Sequence, residues 1–285
     1  MAARRTREAT KRKNNDKIEL ETSVEIKEEC TESIYFKMGC NNTLHTHLSK
    51  KTKLGLKQVG KANGSSTRLD RSFYDQPAED LAKNLLGKLL YRVLDNGEVS
   101  FGRIVETEAY LGEVDKACHS YGGRRIGRCE PLYMAPGTAY VYVIYGMYHC
   151  LNVSSQEPGA CVLIRALEPL QGFDSMKSFR GVRRRDAGSK LKDHELCNGP
   201  SKLCQALDIE KANLNKEDMT TSNRFWIEDD KESCSRDMTI VTSARIGIDS
   251  YGPEWALKPL RFYSLGNKCV SVRDKKSEAE LSHSA

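Results

Sequence analysis

Two stretches organise this chain: RIVETEAYLG, residues 103–112, and AYVYVIYGMYHCLNVSS, residues 139–155. In the first, Ile104 and Val105 favour a strand that ends in acids. Glu106 and Glu108 are two apart, so an extended backbone places them on one face, with Tyr110 continuing the parity. Two carboxylates so close repel unless one is paired or protonated. Gly112 then marks a turn. The second stretch is rich in Tyr, Val and Ile. Tyr140, Tyr142 and Tyr148 share one parity, while Val141, Val143 and Tyr145 share the other. Gly146 interrupts the run as a bulge, a hairpin tip or a close backbone approach. That leaves Tyr145 projecting from a turn beside aromatic strands. Aromatic rings near carboxylates suit the holding and attack of a flat, polar ligand.

The chain has 285 residues, which suits one large domain or two small ones. Mean hydropathy is -0.59 and 29% of residues are charged, so part of the chain is expected to stay unfolded. Net charge is +6, a weak pointer to nucleic acid or another polyanion. The 10 cysteines include no C-x-x-C, which favours reduced intracellular thiols over a zinc knuckle. No apolar run reaches the length of a membrane span and no signal-peptide core follows Met1, so a soluble, non-secreted protein is expected.

Residues 1–70 do not read as a domain. A basic segment, AARRTREATKRK, reads as a nuclear import signal or a nucleic-acid arm, with a solubilising tail as the plainer alternative. An acidic patch, a lysine cluster and NGSST follow, and this tail is expected to be disordered. The folded part is expected from Arg71, with Asp75 capping a helix that has Pro77 just inside it. Residues 89–93 and the strand from 99 flank a DNGE hairpin turn. GGRR, residues 122–125, is a basic loop suited to anions. Residues 159–167, GACVLIRAL, form an apolar strand broken only by Arg165, which must be paired or face a polar cavity. Residues 168–207 read as mostly helical, with Ser201 capping a short helix. Residues 240–248 read as a strand, and the last residues, 276–285, as frayed.

The candidate site comprises Glu108, Tyr110, His119, Tyr142, Tyr145, Asn152 and Arg165. It offers a carboxylate base, stacking rings, an amide for edge recognition and an orienting cation. Taken singly, each has a bland explanation as core or satisfied surface. No nucleophile elbow, P-loop, GxGxxG, HExxH or zinc deaminase signature accompanies them.

RIVETEAYLG, DKACHSYGGR, YVYVIYGMYHCLNVSS, ACVLIRALEPL, GPSKLCQAL and EWALKPLRFY resemble, in order, the motifs of the alkyladenine (3-methyladenine) DNA glycosylase family of the animal N-methylpurine type. The resemblance runs from about residue 73 to 272. It implies an α+β fold: one compact domain around a curved antiparallel sheet with flanking helices, spanning 71–275 after the tail. It implies a monofunctional enzyme of base excision repair that flips alkylated or deaminated purines out of DNA. The purines would include 3-methyladenine, 7-methylguanine, hypoxanthine and ethenoadenine, and hydrolysis of the N-glycosidic bond would leave an abasic site.

By the same resemblance Glu108 is the general base and Arg165 helps to position the water. Tyr110, His119 and Tyr142 sandwich the base, Asn152 excludes guanine, and Tyr145 enters the minor groove. Arg124, Lys192, Lys202 and Lys211 are weaker candidates for backbone contacts. No cofactor or metal is implied. The implied partner is damaged double-stranded DNA, met by a monomer with no membrane association; repair proteins would dock on the tail. The nucleus is the expected location, with mitochondrial delivery left open. The alternative is a sensor that binds damaged DNA without cutting. Ile246, where relatives often carry valine, is expected to narrow the pocket slightly.

Overall fold

The computed structural model describes residues 67–230 and 238–284. The basic segment and nearly all of the expected disordered tail lie outside the described residues. The tail's last residues do not: the Leu69 amide donates to the Ile227 carbonyl at 2.9 Å and the Leu69 side chain is buried. The folded part therefore begins before Arg71.

Asp70, rather than Asp75, supplies the first cap. Its carboxylate accepts from the Phe73 amide at the start of α1 (Arg71–Tyr74). Asp75 closes that helix, and Pro77 stands at the N-cap of α2 (Ala78–Asn84). Proline has no side chain to cap with, and Glu157 takes over, accepting from the Ala78 amide at 3.0 Å. Leu81 and Leu85 of the α2 region are fully buried. Burying such a side chain contributes about 1.5–3 kcal/mol.

The strands are β1 (Leu89–Val93), β2 (Val99–Tyr110), β3 (Ala139–Ile144), β4 (Tyr148–Ser154), β5 (Cys161–Gln171), β6 (Phe225–Glu228), β7 (Ile240–Ser243) and β8 (Arg261–Ser264). They form one curled antiparallel sheet in the order β3-β4-β5-β2-β1-β6. β5 flanks one edge of β2. The other edge pairs first with β1 and then, over residues 106–108, with β8, which carries β7. The helices are completed by α3 (Phe173–Gly181), α4 (Pro200–Ala206), α5 (Lys211–Leu214), α6 (Pro253–Ala256) and α7 (Lys275–Ser284).

Four expectations are corrected here. β5 runs on to Gln171 and residues 182–199 are turns, bends and one short 3-10 helix (Asp193–Glu195), so 168–207 is α-helical only in α3 and α4. Gly199, not Ser201, occupies the cap of α4, with Pro200 as first helical residue. β7 stops at Ser243, and the chain bends across the site instead of continuing to Ile248. The C-terminus expected to fray from 276 is helix α7 to Ser284, tied down where Glu278 accepts from Tyr263 Oη at 3.0 Å.

One face of the sheet packs on α2, α3 and α4 through Ile104, Ala109, Val162, Ile164, Leu167, Leu81 and Leu203. The opposite face carries the candidate site, between a small cluster around Val105, Ala166 and Tyr263 and an aromatic cluster around Leu132, Tyr140 and Cys161. Paired bulges decide which residues reach that face. Ile104 pairs with Leu167, Glu106 with Ala166 and Thr107 with Ile164, so Val105 on β2 and Arg165 on β5 have no register partner. Each bulge turns two successive residues the same way. Val105 and Glu106 therefore point together away from the helices, as do Arg165 and Ala166. Thr107, on the helix side, donates to the Ala82 carbonyl at 2.7 Å.

Candidate active site

Glu106, Glu108 and Tyr110 share the site face, and Arg165 lies between the two acids. Its Nε donates to Glu106 Oε1 at 3.1 Å, and its Nη1 is 3.1 Å from Glu108 Oε1. Burial works against the Arg165 charge, but Glu108 and Glu106 outweigh it and hold the guanidinium above its usual range. Glu106 is saturated. It also accepts from Arg261 Nη1 at 3.0 Å, from the Ser271 amide at 2.7 Å and from Ser271 Oγ at 2.9 Å. That set makes Glu106 the structural acid, with charge balanced by two arginines.

Glu108 is fully buried and differently held. Oε1 accepts from the Ile246 amide at 2.8 Å, beside the Arg165 contact. Oε2 accepts from Tyr110 Oη at 3.0 Å. A carboxylate offers about four lone-pair sites, so one site on Oε2 is left for a further donor. Burial, then the Glu108 charge, push the Tyr110 hydroxyl well above its usual range, so it remains a donor. Asp115 and Arg245 form a separate buried pair, and the Arg245 guanidinium stands 4.7 Å from the centroid of the Tyr110 ring. This fixes the ring that faces the ligand space.

In front of these groups lies a cavity of about 720 Å³. Tyr110, His119, Tyr142, Tyr145, Asn152, Arg165 and Lys211 all line it. Glu108 does not, but the three residues that hold its carboxylate do, so it sits directly behind the cavity wall. Tyr142 lies over Tyr140 with centroids 5.3 Å apart and planes at 28°, and His119 meets Tyr142 edge-on at 4.7 Å. The His119 Nδ1 is hydrogen-bonded to Tyr140 Oη at 2.8 Å. Burial, followed by the charges of Arg128 and Arg124, lowers the His119 pKa and favours the neutral ring. The Asn152 Nδ2 donates to the Tyr140 carbonyl at 3.2 Å across the β3–β4 ladder, which orients the amide.

Tyr145 is 83% exposed at the tip of the β3–β4 hairpin. Its φ is +54° and that of Gly146 is +68°, so two successive residues adopt the left-handed region. Glycine does so freely, whereas a tyrosine there is strained. Arg124, Lys192 and Lys202 are exposed and stand outside the lining of the cavity. Lys202 Nζ donates to Asn198 Oδ1 at 2.8 Å.

Sequence reasoning missed four contributors. Tyr140 shares the parity of Tyr142 and was open to inclusion on that ground. Arg128, at the cavity mouth, follows the basic loop directly. The Ile246 amide and the Arg261 guanidinium leave no local signal, because each reaches its acid from more than 130 residues along the chain.

A curled antiparallel sheet with a buried acid behind an aromatic cavity defines a site for a flat, polar ligand. The chain belongs to the methylpurine-DNA glycosylase family, whose profile matches residues 72–268. It is 52% identical over 214 residues to the mouse DNA-3-methyladenine glycosylase and 51% identical over 218 residues to the human DNA-3-methyladenine glycosylase. Those alignments cover 75% and 76% of this chain but 64% and 72% of the two relatives, so the match spans less than two thirds of the mouse protein's length. A relative from Clostridium perfringens is 48% identical over 208 residues, and the alignment covers all of it.

Proposed function

We propose that this protein is a monofunctional DNA glycosylase that excises alkylated or deaminated purines from double-stranded DNA. The observation that carries the proposal is the placement of Glu108, fully buried behind an aromatic cavity and held by three groups from its wall. Glu108 takes a proton from a water at its remaining Oε2 site as the water oxygen bonds to C1′ of the flipped nucleotide. The C1′–N bond breaks, and its electron pair leaves with the base. Arg165, 3.1 Å from Glu108 Oε1, positions the carboxylate and the water for this role.

The base lies among Tyr110, His119 and Tyr142. Aromatic stacking contributes about 1–3 kcal/mol per base. An alkylated purine is cationic, so electron-rich rings attract it and a neutral His119 does not repel it. Tyr145 fills the gap left in the duplex, offsetting part of an unstacking cost of a few kcal/mol. Asn152 excludes guanine by meeting its 2-amino group. Lys211 at the cavity and the exposed Arg124, Lys192 and Lys202 engage phosphates. 3-Methyladenine, 7-methylguanine, hypoxanthine and ethenoadenine fit this chemistry, and hypoxanthine, a neutral leaving group, further needs a proton or hydrogen bond on departure. A monomer acting in the nucleus suffices for this work.

The test is single-turnover release of hypoxanthine from a duplex with one inosine, in EDTA, by wild type and Glu108→Gln. Release by wild type alone supports the proposal. Tight lesion binding without release by either, repeated on an alkylated purine, would replace the enzyme with a damage sensor.

A further inference from the structure

A second exposed aromatic stands at the rim of the cavity, and the stacking of the base leaves it unused. Of the aromatic side chains that line the cavity, Tyr145 and Tyr251 are exposed, at 83% and 43%. Tyr110, His119, Tyr140 and Tyr142 lie deeper. Tyr145 belongs to the hairpin tip, whereas Tyr251 comes from the connection between β7 and β8. Among the described residues its side chain has no hydrogen bond and no aromatic or cationic partner.

Local structure explains the placement. β7 ends at Ser243 and the chain then crosses the site, with the Ile246 amide fixed on Glu108 Oε1 at 2.8 Å. The segment closes into a short 3-10 turn, Asp249–Tyr251, in which the Tyr251 amide donates to the Ile248 carbonyl at 3.0 Å. Such a turn repeats every three residues. Ile248 and Tyr251 therefore share one face, and both line the cavity. Asp249 and Ser250, between them, are exposed and stand outside the lining. Past Gly252 the chain is anchored by the buried Trp255 of α6, whose ring centroid lies 3.7 Å from Lys258 Nζ. The segment is thus held at both ends, at Glu108 and at α6, with Tyr251 presented between them.

Two features indicate what the ring meets. With Glu108 acting at C1′, the base lies inward, among Tyr110, His119 and Tyr142. The segment starts at Glu108 and reaches the rim at Tyr251, so Tyr251 faces what stays outside when the base is inside: the deoxyribose and its phosphates. Charge points the same way. The charged residues that line the cavity, Arg128, Arg165 and Lys211, are all cations. Tyrosine is among the side chains that contact phosphate oxygens and sugar in DNA complexes.

We propose that Tyr251 clamps the extruded nucleotide by its sugar and phosphate: the ring covers the deoxyribose and the hydroxyl donates to a phosphate oxygen beside it. This contact is made only when the nucleotide has left the stack. It therefore shifts the equilibrium towards the flipped state and leaves affinity for undamaged duplex unchanged.

The clamp rests on the glycosylase reading, and the experiment separates the two. A duplex with one ethenoadenine, a base whose emission reports unstacking, is bound by the full chain and by its Tyr251→Phe and Tyr251→Ala variants. Stopped-flow fluorescence gives the extrusion equilibrium. Tyr251→Phe keeps the wild-type thermal midpoint and lowers the extrusion constant by about tenfold, the size of one hydrogen bond to a charged group. Tyr251→Ala, which also loses the ring, lowers it further. The duplex is then remade with a neutral methylphosphonate at the linkage on each side of the lesion in turn. At one of the two linkages the change weakens extrusion by wild type about as much as Tyr251→Phe does, and weakens that variant no further. Extrusion by wild type that Tyr251→Ala leaves unchanged overturns the clamp alone. So does a methylphosphonate effect that is equal in wild type and Tyr251→Phe at both linkages. No extrusion by wild type overturns the glycosylase reading and the clamp with it.

Discussion

Arg165 Nη1 lies 3.1 Å from Glu108 Oε1, across two neighbouring strands whose register is broken at Val105 and at Arg165 itself. The bulges put both side chains on the cavity face, and the same guanidinium reaches Glu106 through Nε. Two acids that repel in isolation are thereby tolerated side by side in the interior.

Their roles separate under substitution. Glu106→Gln removes a charge that faces two arginines, leaving buried cations uncompensated, and breaking such a pair costs about 3–5 kcal/mol. We expect a marked drop in thermal midpoint for Glu106→Gln and a smaller one for Glu108→Gln, which keeps the Tyr110 and Ile246 donors in reach. Base release shows the opposite ranking of a folded protein, with Glu108→Gln abolished. Equal destabilisation by the two changes, measured by thermal unfolding, would erase the distinction.

Tyr145 stores strain where it is proposed to act. A left-handed non-glycine residue costs about 1–2 kcal/mol. Tyr145→Gly removes that strain while adding freedom to the unfolded chain, so the net stability change is small. Flipping, followed by fluorescence of a reporter base beside the lesion, weakens. A Tyr145→Gly protein that is clearly less stable, or that flips as well as wild type, contradicts the wedge assignment.

Asn152 is oriented by its bond to the Tyr140 carbonyl. Asn152→Ser shortens the side chain and opens space on the base edge. Guanine release from undamaged duplex then rises above the wild-type background, as measured by chromatography of freed bases. No gain would count against the steric gate.

His119 has a pKa lowered from 6.5 by burial and by Arg128 and Arg124. Below 6.5 the unfolded chain takes up this proton while the folded ring resists it. Stability is therefore lost as pH falls from 6.5 through the lower folded value, and it is recovered on raising the pH. His119→Gln lacks this proton and should show a shallower loss between about pH 7 and 5, read by urea denaturation across the series. Parallel slopes for the two proteins would show that the ring titrates freely.

Much of the site could be read before any coordinates. The parity of Glu106, Glu108 and Tyr110, the break in the tyrosine-rich run at Gly146 and the isolation of Arg165 in an apolar strand are local patterns with local causes. Side chains alternate along a strand, glycine tolerates a left-handed turn, and a cation in an apolar run must find a partner. Helix starts were harder. Asp75 and Ser201 are plausible caps by residue type, but Pro77 and Gly199 stand at the N-caps of α2 and α4, and Glu157 from a distant connection accepts from the Ala78 amide.

The sequence by itself determined where the central strands β2, β3 and β5 begin, which residues were candidates for the chemistry and, through its motifs, the family. Tertiary structure alone decided how those residues meet. Nothing in VETE or LIRAL announces a bulge, because a bulge belongs to a pair of strands and not to either one. Likewise the different surroundings of the two acids depend on Arg261, Ser271 and the Ile246 amide, which arrive from the far end of the chain. Alternation is a property of one backbone, whereas charge balance in a buried site depends on what the fold brings beside it.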